Sequence, residues 1–200
     1  MRWDELFDDL ESQLEQELTA EEIDLEAEEE RLRLGRLTIR DRLAAVREGE
    51  DPAHRPRVVV TLTGGLRVVV HPATIGRDWF SADVIDDSSR TVQCLIPLAA
   101  VIGLTLPADR VSQSLRAPGR EVEHPSLPAR LGLTFVLRDL CRRRRAVDLV
   151  LVSGEMHGTI DRVGRDHFDL AVHERGVQRR RSAVIETRII PLDAVVLVRL

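Results

Sequence analysis

A hexapeptide that returns constrains this chain more than its composition does. Ile75-Gly76-Arg77-Asp78-Trp79-Phe80 recurs 88 residues later as Val163-Gly164-Arg165-Asp166-His167-Phe168. Ile96-Pro97-Leu98-Ala99-Ala100-Val101 recurs 94 residues later as Ile190-Pro191-Leu192-Asp193-Ala194-Val195. The growth in spacing from 88 to 94 puts six extra residues in the second copy, between Phe168 and Ile190. Self-similarity of this kind marks a repeated structural unit. Arg33-Leu34-Gly35 and Arg40-Asp41, echoed by Arg130-Leu131-Gly132 and Arg138-Asp139, extend the unit upstream.

Between the echoes, short apolar runs alternate with turn residues. Residues 58–62, 66–70, 79–85, 91–96 and 101–104 are β-branched or apolar; Gly64-Gly65, His71-Pro72, Gly76-Arg77-Asp78, Asp86-Asp87-Ser88-Ser89 and Pro97 separate them. Such runs suit a pleated surface, and five strands in about 50 residues is the density of a small barrel. The second copy reads alike, with strands over 147–152, 155–163, 167–172, 182–190 and 194–200. A helix is predicted ahead of each set, over 36–48 and 131–140. The second ends in Arg142-Arg143-Arg144-Arg145, where positive charge suits the carboxyl end of a helix dipole. Pro107, Pro118, Gly119, Pro125 and Pro128 mark residues 107–128 as a linker. The expected class is α+β: an acidic helical arm (1–35), a helix plus first five-stranded barrel (36–106), the linker, and a helix plus second barrel (129–200).

Gly158 in the second predicted strand of the later copy relieves a bend there, and Ile190-Pro191-Leu192 makes a one-turn break before the last strand. With a preceding helix and five bent strands, these features resemble the Sm-like and Hfq-like family, over about 130–200 and again over 36–106. The resemblance implies single-stranded RNA as ligand, held by a polar residue near strand three and a basic or His-bearing segment near strand four. Here Asp169 stands where the family often places Asn, and Ile189-Ile190-Pro191-Leu192 replaces the basic segment. A carboxylate repels phosphate and lacks the amide's donor, so that ligand set does not carry over.

Charge is strongly segregated behind a net value of −5. Residues 1–30 hold 14 acids and one Arg, which leaves 20 acids against 28 bases in the remainder, or about −13 and +8. Every base is Arg. Arg175, Arg179, Arg180 and Arg181 lie in the loop that lengthens the second copy, and together with Arg142, Arg143, Arg144 and Arg145 they form a candidate basic surface for RNA or DNA phosphates. The competing reading pairs that surface with the chain's own acidic arm, which is present at high effective concentration. Within the arm, Trp3, Leu6, Phe7, Leu10, Leu14 and Leu18 fall at three- and four-residue steps and make one apolar stripe on an acidic helix. Thr19-Ala20-Glu21-Glu22 fits a capping box that starts a second helix running towards Leu34. The stripe either packs on the protein's own barrels or docks on a protein partner.

No nucleophile triad order, phosphate-cradling Gly loop or nucleotide fingerprint occurs. His157, His167 and His173 with Asp161, Asp166 and Asp169 have the composition of a metal or acid–base group. The first copy carries Arg67 or Val68, Trp79 and Asp86 there, so no ligand set is shared. No catalytic residue, metal site or cofactor is assigned. Cys94 and Cys141 are read as reduced thiols, no apolar run approaches a membrane span, and the expected location is cytoplasmic. Two functions remain: a non-enzymatic module binding nucleic acid through its Arg clusters under the acidic arm's influence, or an adaptor docking through the arm and the barrel edges.

Overall fold

The computed structural model describes residues 22–48, 56–85, 91–116, 126–177 and 179–200, and divides between Thr38 and Ile39 into two compact units. In the first, residues 22–36 form helix α1, in which Arg33 holds Glu30 one turn earlier by two 2.6 Å bonds. Ile23, Leu25 and Leu32 are exposed on it. The Trp3 to Leu18 stripe and Thr19 of the capping box lie outside the described residues.

The second unit runs α2 (Ile39–Glu48), β1 (Val58–Leu62), β2 (Arg67–Ile75), β3 (Trp79–Ile85), β4 (Thr91–Pro97), β5 (Val101–Thr105), α3 (Ala108–Ser114), α4 (Leu127–Arg130) and α5 (Leu133–Arg142). It then continues through β6 (Ala146–Leu151), β7 (Gly154–Val163), β8 (His167–Val172), β9 (Glu186–Pro191) and β10 (Val195–Arg199). The class is α+β. In place of two separately closed barrels, the ten strands form one antiparallel sheet ordered β5-β1-β2-β3-β4-β10-β6-β7-β8-β9. Each half places its fifth strand beside its first and leaves its fourth at the opposite end. The halves meet where β4 pairs with β10, Leu95 opposite Val198 and Cys94 opposite Arg199. Two cores result. Val196 and Leu197 of β10 enter the first, around Leu43, Phe80 and Ile96, while Val195 and Val198 enter the second, around Leu137, Phe168 and Leu170.

The sequence echoes fall at matching places. Gly76 N–H bonds Trp79 O and Gly164 N–H bonds His167 O, each at 2.8 Å. Leu98 N–H reaches Asp78 O at 2.9 Å and Leu192 N–H reaches Asp166 O at 2.8 Å. Arg40 Nε donates to Gly76 O, as Arg138 Nη2 does to Gly164 O. Both Ile-Pro-Leu segments enter one-turn 3₁₀ helices, Leu98–Ala100 and Leu192–Ala194. Both second strands bulge at one position, between Pro72 and Thr74 and between Ile160 and Arg162. A bulged residue's carbonyl drops out of the ladder and needs another donor. Arg47 supplies it to Ala73 O at 3.2 Å, and the Cys141 thiol supplies it to Asp161 O at 3.2 Å.

Three expectations change. His71-Pro72 is no turn but lies inside β2, because the bulge beside Pro72 removes the need for its missing N–H. The linker contains α3, which lacks an apolar period because polar contacts hold it. Buried Gln113 donates to Ala45 O at 3.3 Å, and Arg42 donates to buried Ser114 at 2.8 Å. The strand expected over 182–190 starts only at Glu186, after a 3₁₀ turn over Arg181–Ala183.

Gly158 is required by close approach, since a Cβ there would strike the Ala171 carbonyl oxygen of β8. Gly158→Ala is expected to lose about 1–3 kcal/mol of stability in denaturant unfolding. Burial pushes the Cys94 thiol up to about 12. Its folded value lies above the unfolded one, so this contribution is intact below about pH 8.5 and fades as pH rises towards 12. Urea unfolding across that range should show a steeper loss for the native chain than for Cys94→Ala.

Candidate functional site

The four consecutive arginines close α5. Arg145 N–H bonds Leu140 O at 3.1 Å and Arg144 N–H bonds Cys141 O at 3.0 Å. These are the two bonds of a Schellman cap, whose C′ residue is left-handed and usually Gly. Here Arg144 fills it at φ 50°, the sole non-Gly residue with positive φ among those described. A side chain in that conformation costs roughly 1–2 kcal/mol. Arg142 and Arg143 both bond Asp139, each at 2.6 Å, and hold its carboxyl below the usual carboxylate range. Arg144 and Arg145 are exposed and have no ion-pair partner among the described residues.

The loop that carries the second Arg group is tied to the last turn of α5 through the β7 bulge. Asp161, the bulged residue, accepts the Cys141 thiol on its carbonyl and pairs with Arg179 through its carboxylate. One residue thus joins the end of α5 to the loop after β8. Upstream in that loop, Arg175 Nε donates to Asp148 Oδ1 at 2.9 Å. Arg180 is exposed, and Arg181 begins the 3₁₀ turn. The matching first-half residue, Ala73, has no carboxylate with which to gather arginines.

The histidines divide into two places. His157 and His173 pack edge to face with ring centroids 5.1 Å apart, whereas exposed His167 starts β8 and is bonded to Asp166 of the preceding turn. His157 Nδ1 donates to Asp148 Oδ1 at 2.7 Å. Buried His173 donates from Nδ1 to Glu174 O at 3.0 Å, since a carbonyl can only accept, and its Nε2 lies 2.9 Å from the hydroxyl of buried Thr159. Asp169 pairs instead with Arg162. The six residues therefore do not converge, and no cluster able to hold a metal exists among the described residues. This network anchors the Arg loop at its start. Asp148 and Thr159 escaped sequence reading because only the register, with Asp148 opposite His157, places them there. Comparison with family models, curated proteins and solved structures finds no match to this chain. No helix among the described residues is long and apolar enough to cross a membrane.

Burial pushes the Asp148 carboxyl up, but bonds from His157 and Arg175 outweigh it and hold it below its ordinary value. A depressed carboxylate stabilises the fold above its unfolded value near pH 4, and that contribution is lost as pH falls through the lower folded value. The thermal midpoint of the native chain should accordingly exceed that of Asp148→Asn most at neutral pH, and the two should converge below about pH 4.

Proposed function

We propose that the chain is a non-enzymatic nucleic-acid-binding module, built as two Sm-like units in tandem, that holds RNA or DNA phosphates at the α5–β6 end. The observation that carries this reading is Arg144. A glycine would cap α5 at lower conformational cost, yet the chain keeps a guanidinium there, flanked by exposed Arg145 and backed by the loop of Arg175, Arg179 and Arg180. Asp139, Asp148 and Asp161 each take one or two arginines, which leaves the group with a net positive charge. Support for the Sm-like build comes from the strand order shared by both halves, the helix before each, the bulged second strands and the 3₁₀ turns before each fifth strand. Contacts of this sort select phosphate charge over sequence. The acidic arm, at about −13 over residues 1–30, competes for the same surface.

Anisotropy titrations of labelled single-stranded RNA, single-stranded DNA and duplex DNA at several salt concentrations test this. Arg144→Gln with Arg145→Gln should weaken binding and flatten the plot of log affinity against log salt by about 2. Removal of residues 1–30 should tighten binding. An unchanged salt slope in the double variant would reject the site.

A further inference from the structure

We propose that the first half binds a small apolar molecule bearing one carboxylate, such as a medium-chain fatty acid, in the cleft between α2, the end of β5 and α3. The inference goes beyond nucleic-acid binding and rests on other residues. The cleft has a volume of about 370 Å³, within the range of small-molecule sites. Its apolar walls are Ile39 at the start of α2, Leu104 of β5, Leu106 just past that strand and Val111 of α3. Thr105 and the guanidinium of Arg42 are its polar lining.

Arg42 is oriented from one side and left open on the other. Its Nε and Nη2 both donate to the Ser114 hydroxyl, at 3.2 and 2.8 Å, and that hydroxyl donates onward to Val111 O at 2.7 Å. Ser114 is 0% exposed, so the guanidinium is fixed by a buried partner. Two of its five N–H groups are thereby used, and Nη1 has no partner among the described residues. The Nη1–Nη2 edge that remains is one of those by which arginine takes both oxygens of a carboxylate. The neighbouring acids are engaged elsewhere: Asp41 lies 3.5 Å from Arg40 Nη1 and Asp109 lies 3.3 Å from Arg110 Nε. A cation set among apolar walls gains most from an anion that also fills those walls.

The other copy shows what this position does without a charge. Counted from the first helical residue, Arg42 of α2 corresponds to Val136 of α5, which packs against the second core. The repeated unit therefore folds with an apolar residue there, and the guanidinium belongs to the first half alone. Its bonds to Ser114 hold α3, which accounts for Nε and part of Nη2 and leaves the Nη1 end without a structural task. At its volume, near the lower end of the small-molecule range, the cleft accommodates a short acyl or aryl group with its carboxylate, whereas a peptide would extend beyond it.

Isothermal titration of the full chain with octanoate and with octanol, which share a chain length and differ in charge, tests this without nucleic acid present. The native chain should bind one octanoate per chain, about tenfold or more tighter than octanol, the factor expected of a charge-assisted pair. Arg42→Gln should bring the two affinities together. Val111→Trp, at an exposed position, fills the cleft while leaving Arg42 in place and should abolish binding of both. Thermal unfolding checks that each variant is folded. A native chain that binds no octanoate, or binds octanol equally well, would overturn the proposal. So would a folded Arg42→Gln chain that keeps the preference, or a Val111→Trp chain with undiminished affinity.

Discussion

The ladder between β4 and β10 is the contact on which the rest of unit two depends. β10 lies between the halves and gives apolar side chains to both cores, so neither core is complete with its own strands alone. Burial scales stability with apolar area removed from water, and Val195 to Val198 are almost wholly removed from it. The helices follow from this arrangement. α5 starts on first-half atoms, Asp78 and the Arg77 turn, and ends on the second half's bulge, so it ties the junction from one side while β10 ties it from within.

Much of this was legible in the residues. Gly76 and Gly164 stand where an aromatic or imidazole ring three positions later lies over the backbone, which is why the Gly-Arg-Asp turn survives in both copies while Trp79 and His167 differ. The Ile-Pro-Leu echo marks the break before each fifth strand: Pro97 and Pro191, with φ fixed at −62° and −61°, are the extended residues from which each 3₁₀ turn starts. Alternation and turn residues located the strands. What escaped was set by contacts remote in sequence: α3 has no apolar face of its own, and Pro72 looked like a breaker because a bulge cannot be seen without the partner strand. Separate barrels were expected because the echo shows repetition but not which strand of one copy meets which strand of the other.

The basic site shows the same division. The two Arg runs were visible, but the link between the helix end and the loop that carry them was not. Asp161 acts through its carbonyl and its carboxylate at once, and only a bulge turns one residue towards both neighbours. The His157–His173 packing is likewise a product of strand register, at the start of the loop that follows β8.

The position of β10 also orders events in time. Leu95 waits for Val198, about a hundred residues downstream, and contacts so distant in sequence form slowly because a long loop must close first. During synthesis the first half emerges with Cys94 and Leu95 on a strand paired with β3 on one side and bare on the other, and with Leu43, Phe80 and Ile96 in a core that lacks Val196 and Leu197. The outer edge of β4 therefore stays bare until the second copy is made, and it is the last strand of that copy that covers it.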